Sequence, residues 1–150
     1  MTLTDTLDEA ILLEEEISSC YDFLSKITQD GAAGDLKKLA REEKSHVNVL
    51  ATGKNYVLRM PDLFGKETVS GAEIHEGIKS TSRIRKNLEN KKLSVQQALQ
   101  KLSALERKFE QIHMNTAVEF KDYSLKKLFE ALARADAEHR QRLERLIAQL

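Results

Sequence analysis

Apolar side chains recur every three or four residues along most of the chain, a spacing that predicts amphipathic helices rather than strands. Four long helices are expected, at about residues 5–28, 35–60, 95–121 and 124–150. A fifth, shorter helix is predicted from about Gly71 to Asn90, between the second and third long helices.

Capping residues and helix breakers set the expected helix ends. Ser94 and Gln97 have the spacing of a capping box, so the third long helix should begin after Ser94. Pro61 favours a stop for the second helix, because proline clashes with the preceding turn. The other expected N-caps are Thr4 or Asp5 for the first helix, Ser70 for the short helix and Ser124 for the fourth.

Connection lengths predict how the long helices are arranged. A short turn at Asp30–Gly34 and a short break at Asp122–Ser124 each require the flanking helices to return antiparallel. The connection over residues 61–93 is long enough to cross the bundle and to contain the short helix. The expected fold class is therefore all-α: a ferritin-like four-helix bundle of two antiparallel hairpins joined by one long crossover, in a single domain of residues 1–150.

Composition argues against several classes of protein. Lys and Arg total 24 and Asp and Glu total 24, so no charge excess indicates a nucleic acid or an anionic membrane as partner. No apolar run approaches the roughly 20 residues of a membrane span, and the first residues lack the pattern of a signal peptide. The lone Cys20 excludes a disulfide framework within one chain and any cluster of cysteine ligands. A cytoplasmic protein is expected.

Six ionisable residues interrupt the apolar stripes of the four long helices. In chain order they are Glu14, Glu43 with His46, Glu106, and Asp136 with His139. A carboxylate three residues before a histidine places both side chains on one helix face. Each half of the chain thus pairs a helix carrying a lone Glu with a helix carrying a carboxylate-x-x-His motif. Two such halves have the ligand pattern of a two-metal carboxylate centre in a helix bundle.

A metal centre would offset the cost of burying these groups. Four buried carboxylates without counter-charge repel one another, and their pKa values rise. Two divalent ions would neutralise them, with bridging carboxylates, expected first at Glu43 and Glu106, holding the ions about 3.5–4 Å apart. Oxygen and imidazole ligands suit iron, manganese or zinc.

Each motif also has a simpler interpretation. A single Glu-x-x-His is common on exposed helices, and the acidic run Glu14–Glu16 is by itself typical of a solvated face. A metal-free bundle with carboxylate–histidine hydrogen bonds in its core is the alternative. The hypothesis of a metal centre therefore depends on the coincidence of all four stripes rather than on one motif.

Two further residues lie seven positions beyond a predicted ligand, on the same helix face. Tyr21 follows Glu14, and His113 follows Glu106, at matching positions of the two halves. The sequence assigns no catalytic residue, and Tyr21 and His113 are candidates for contacting the ligands rather than the metal ions. Each also fits an ordinary residue of the core or its edge. His75, in the crossover, is expected in solvent.

Four segments resemble the helices of the rubrerythrin-type diiron domain of the ferritin-like superfamily. They are AILLEEEISSCYDFL, LAREEKSHVNVL, ALQKLSALERKFEQIH and LARADAEHRQRLERL. The resemblance covers most of the chain except residues 61–93 and implies the same six metal ligands. Asp136 stands where the family usually has Glu and is one methylene shorter, a departure that bears on the second metal position. Glu110 is the nearest candidate for an additional family carboxylate.

The resemblance implies a diiron centre, bridged by oxide or carboxylate, that reacts with peroxide or dioxygen. Two iron ions are expected first, with manganese or zinc as alternatives. The sequence contains no rubredoxin-like iron domain, so a peroxidase would need a separate electron donor. Ferrous iron oxidation or iron handling is a second hypothesis, and a metal-free helical interaction module is a third. A homodimer is compatible with the resemblance, and no nucleic-acid or membrane partner is expected.

Overall fold

Six helices account for most of the computed structural model, which describes residues 1–29 and 31–150. They are α1 (Leu3–Ile27), α2 (Gly31–Arg59), α3 (Pro61–Phe64), α4 (Ala72–Glu89), α5 (Val95–Glu119) and α6 (Tyr123–Gln149). These described ranges contain no strand, and Thr2 and Thr68 form only an isolated bridge. The predicted all-α class is confirmed. Among the described helices, none is both long and apolar enough to cross a membrane.

α1 begins earlier than predicted because Thr2, rather than Thr4 or Asp5, is its N-cap. The Thr2 hydroxyl accepts a hydrogen bond from the Asp5 backbone N–H, and the Asp5 carboxylate accepts one from the Thr2 backbone N–H. This capping box satisfies two N–H groups at the helix start. Thr4 has Leu7 three residues later, which cannot complete such a box.

α2 begins at Gly31, so the turn predicted over Gly31–Gly34 is wrong, and Asp30 lies outside the described residues. Ala32 packs against the buried core, and a Cβ at Gly31 or Gly34 would meet nothing within 4 Å. Alanine burial and helix propensity offset the cost of the two glycines, about 1 kcal/mol each. The link between α1 and α2 is therefore shorter than predicted.

The later long helices are capped by one expected and one unexpected residue. Ser94 and Gln97 form the predicted capping box at the start of α5. Asp122, not Ser124, caps α6, because its carboxylate accepts a hydrogen bond from the Leu125 N–H. The helix dipole favours a negative charge at this end.

The start of the crossover contains a one-turn helix, α3, where a loop was expected. Its last residue, Phe64, is buried in the core, whereas Leu63 is exposed. The N-cap of α4 is Gly71 rather than Ser70, and the Ser70 backbone N–H instead donates to the Glu119 carboxylate.

The long helices pair as two hairpins. Ser18 Oγ on α1 donates to the Ala40 carbonyl on α2 at 2.8 Å, and Lys54 forms an ion pair with Asp8. Residue numbers therefore fall along α2 as they rise along α1, so the two helices are antiparallel. The contacts between α5 and α6 also run in opposite senses. The structure thus contains the two hairpins that the connection lengths predict.

The crossover helix α4 runs alongside α1 in the same direction. His75 Nδ1 lies 3.4 Å from a Glu9 carboxylate oxygen, and ten residues later Arg85 lies 2.8 Å from Glu16. α4 also packs against α5. It therefore carries the chain back along the length of α1 before α5 begins.

A layer of polar side chains divides the buried core into two apolar clusters. The cluster nearer the α1–α2 link includes Leu24, Leu36, Leu99 and Leu146. The cluster at the opposite end includes Leu7, Leu50, Phe120 and Phe129. Every long helix contributes residues to both apolar clusters. Each also contributes residues to the polar layer that separates the clusters, and this layer is the candidate site.

Candidate metal centre

Seven ionisable side chains from four helices converge in the polar layer. They are Glu14 on α1, Glu43 and His46 on α2, Glu106 and His113 on α5, and Asp136 and His139 on α6. Six of these residues are at most 1% exposed, and the His46 side chain is 19% exposed. The structure therefore brings together all six residues that the sequence analysis selected and adds His113.

The first group of potential ligands joins α1 to α2. His46 Nδ1 lies 3.3 Å from a Glu43 oxygen and 3.9 Å from a Glu14 oxygen. One ligand atom from each of the three residues lies within 4.8 Å of the other two. Because His46 is the most exposed member, this group is the part of the layer closest to solvent.

The second group joins α2 to the other hairpin. His139 Nδ1 lies 2.7 Å from Glu43 Oε1 and 3.7 Å from Glu106 Oε1. Glu43 therefore belongs to both the first and the second group, which is the arrangement needed for a carboxylate that bridges two ions. Glu106, the other residue expected to bridge, belongs to the second group only.

Asp136 and His113 lie in a third group, together with Glu14. His113 Nδ1 is 2.5 Å from Asp136 Oδ2, and His113 Nε2 is 3.8 Å from Glu14 Oε1. His113 was expected only to contact the ligands. Its position seven residues after Glu106 was the available sequence signal, but the closeness of Glu14 depends on how the two hairpins meet.

Tyr21 contacts a potential ligand on the opposite hairpin. Its hydroxyl donates a hydrogen bond to Glu106 Oε1 at 2.6 Å. Tyr21 faces Glu106 as His113 faces Glu14, so the matching positions of the two halves make reciprocal contacts across the layer. Tyr21 therefore orients a carboxylate, as the sequence analysis expected for a residue beside the ligands.

Replacing Tyr21 by Phe should lower the free energy of unfolding of the metal-free protein by about 2 kcal/mol, because a buried carboxylate loses its hydrogen-bond donor. Urea unfolding measures this change. The control is Tyr56→Phe, which removes a hydrogen bond to Asp122 from a partly exposed hydroxyl and should cost less. Equal losses in the two variants would contradict a special role for Tyr21.

Many polar atoms of the layer have no hydrogen-bond partner although they are buried. They are both Glu14 oxygens, Glu43 Oε1, Glu106 Oε2, His113 Nε2, Asp136 Oδ1 and His139 Nδ1. The close approach of His139 Nδ1 to Glu43 Oε1 does not have the orientation of a hydrogen bond. Unpaired buried polar groups are costly. Convergent, unpartnered oxygen and nitrogen atoms fit metal ions.

The carboxyl groups of the metal-free layer are strongly perturbed. Burial, reinforced by the charge of Glu43, raises the pKa of Glu14 to about 8. Burial also raises the pKa of Asp136 well above its usual value, with added repulsion from Glu106. For Glu43, burial acts in the same direction, but the adjacent Glu14 carboxyl and two imidazoles outweigh it and lower the pKa.

The three histidines differ in their preferred charge. Burial opposes protonation of His46 and His139, but the adjacent carboxylates raise the pKa of each to about 10. Burial lowers the pKa of His113 and favours the neutral imidazole. Without metal, the layer therefore holds protons that a metal ion would have to displace.

Three other residues considered in the sequence analysis lie outside the polar layer. Glu110 forms an ion pair with Arg140 at 2.8 Å. His75 is half exposed and contacts Glu9, in agreement with its expected solvent position. Cys20 is buried in the apolar cluster near the α1–α2 link, and burial raises the pKa of its thiol to about 12.

Comparisons with protein-family models, with curated proteins and with solved structures give no match to this chain.

Proposed function

We propose that the chain is a non-haem diiron protein of the ferritin-like, rubrerythrin type that reduces peroxide with electrons from a separate donor. The observation that carries this proposal is the sharing of Glu43 between two groups of buried carboxylates and imidazoles. The resemblance of the four helix segments to rubrerythrin-type domains supports it, as do two hairpins linked by a long crossover.

The charge and chemistry of the layer favour two divalent ions. Glu14, Glu43, Glu106 and Asp136 supply four carboxylates, which two divalent ions neutralise once protons leave. Glu14 and His46 would hold one ion and Glu106 and His139 the other, with Glu43 between them. Oxygen and imidazole ligands suit iron and exclude a preference for thiolate-seeking ions.

Two bound ferrous ions would supply the two electrons that break the oxygen–oxygen bond of hydrogen peroxide. With two protons, these electrons would convert one hydrogen peroxide into two water molecules. Tyr21 and His113 would orient the carboxylates that they contact, and the ionisable side chains of the layer would exchange protons. Burial excludes bulk water from most of the site. Tyr21 keeps its proton, because burial and then the charge of Glu106 raise its pKa, and it continues to donate to Glu106.

Anaerobic loading with ferrous iron followed by one equivalent of hydrogen peroxide tests the proposed function. We expect about two irons per chain, both oxidised by one equivalent of peroxide, and full recovery after chemical reduction. Near-ultraviolet absorption and metal analysis measure these quantities. The matched comparison replaces peroxide by dioxygen in the same buffer.

Two outcomes would replace the proposal. Faster oxidation by dioxygen than by peroxide, with iron accumulating beyond two ions, would indicate ferrous iron oxidation and handling. A folded protein that takes up no iron would indicate a metal-free helical interaction module.

A further inference from the structure

The group formed by Glu14, His113 and Asp136 lies beside the two groups that share Glu43. Glu14 is the only residue that it shares with them. Its other two members, His113 and Asp136, belong to neither of those groups. All three members are fully buried. The group is therefore a separate set of potential ligands.

The hydrogen bond between His113 and Asp136 fixes how the imidazole is presented. In the tautomer that carries its proton on Nδ1, His113 donates to Asp136 Oδ2, and the lone pair is then on Nε2. Nε2 faces Glu14 Oε1 and has no hydrogen-bond partner. A carboxylate that holds one imidazole nitrogen while the other nitrogen binds a metal is a common arrangement in metal sites.

The distance between His113 Nε2 and Glu14 Oε1 supports metal binding over hydrogen bonding. It is 3.8 Å, beyond hydrogen-bond range. Two ligand atoms that each lie about 2.1 Å from one ion are separated by about 3.4 Å in tetrahedral geometry and by more at wider angles. Asp136 Oδ1 is likewise buried without a partner.

The matching position in the other half, Tyr21, is hydrogen-bonded. Tyr21 meets Glu106 with a short hydrogen bond, and its hydroxyl needs no further partner. His113 approaches Glu14 without such a bond. One half therefore has a hydrogen-bonded phenol at this position, whereas the other half has an unpaired nitrogen and an unpaired oxygen that face each other.

We propose that Glu14 and His113 bind a third metal ion, which adjoins the two-metal centre through Glu14, and that Asp136 positions the His113 imidazole for it. This inference rests on the proposed function, because the two-metal centre supplies the neighbouring ions. The third ion is a divalent cation that accepts oxygen and nitrogen ligands, such as zinc or ferrous iron. It should bind most weakly, because two divalent ions already neutralise the four carboxylates.

Zinc titration of the metal-free protein, followed by anomalous diffraction from zinc-loaded crystals, tests the third position. We expect two tight equivalents and one equivalent that binds at least about 10-fold more weakly. The weak ion should give an anomalous peak about 2.1 Å from His113 Nε2. The diffraction measurement uses the unaltered protein and does not depend on any variant folding correctly.

A matched pair of histidine variants separates this position from the rest of the centre. His113→Gln keeps an amide donor for Asp136 and should lose only the weak equivalent. His75→Gln makes the same change at a half-exposed histidine on α4 and should retain all three.

The failures of the two proposals are distinguishable. Two zinc ions in both the unaltered protein and His113→Gln, with no peak at His113, would overturn the third position and leave the two-metal centre intact. Loss of one of only two ions in His113→Gln would place His113 within the two-metal centre and also overturn a separate position. Absence of zinc binding would overturn both proposals.

Discussion

Replacing Glu43 by Gln should lower the affinity for both ions of the two-metal centre by at least about 100-fold. Glu43 lies between His46, at 3.3 Å, and His139, at 2.7 Å, and it is the one residue common to the two groups. A neutral amide removes the charge and the bridging carboxylate while nearly keeping the shape. Zinc or ferrous titration with metal analysis measures the loss.

The neighbouring Glu42 provides the matched control for this substitution. Its carboxylate pairs with Arg142 at 2.6 Å outside the polar layer, so Glu42→Gln should keep full metal content. Two tightly bound ions in Glu43→Gln would contradict the assignment of Glu43 as the shared ligand. A similar loss in both variants would indicate a general effect of acidic residues on α2.

The metal-free protein should lose stability as the pH rises from 6 to 9. The pKa of Glu14 is raised from 4.5 to about 8, so its contribution is present below 4.5 and is lost as pH rises through 8. His46 and His139 have pKa values raised from 6.5 to about 10, and their contributions are lost on deprotonation over that interval. All three shifts act in the same direction, and the melting temperature should fall by on the order of 5–10 °C.

Metal binding should show the opposite dependence on pH. An ion displaces protons from these same groups, so its affinity rises as their protons become easier to remove. The difference in melting temperature between metal-loaded and metal-free protein should therefore grow between pH 6 and pH 8. Scanning calorimetry of both forms in matched buffers measures it. A metal-free melting temperature that is flat or rising over this interval would contradict the proton inventory of the layer.

The apolar spacing was sufficient to predict the helices and the polar layer, because helix period and burial are properties of the local sequence. The helix ends were less predictable. Thr2 and Thr4 are equally good capping residues in isolation, and only the Asp5 carboxylate decides between them. Gly31 lies within α2 because its neighbour Ala32 reaches the core, a tertiary contact that turn propensities do not contain.

The candidate site was predictable wherever a charged residue replaced an expected apolar one. This rule found Glu14 and Asp136, but it could not show that they lie together. Asp136 was expected as a ligand of the second metal position, and its contact with His113 was not expected. Such a pairing depends on side-chain reach between helices, which no spacing within one helix specifies.

The reciprocal positions of Tyr21 and His113 also bear on how such a centre can evolve. An assembly of two identical hairpins would carry the same residue at both places, and any mutation would appear twice. When both hairpins are encoded in one chain and joined through α4, a mutation in one hairpin leaves the other hairpin unchanged. A duplicated gene can thus retain a phenol beside one carboxylate while acquiring an imidazole beside the other, and selection can act on the two sides separately.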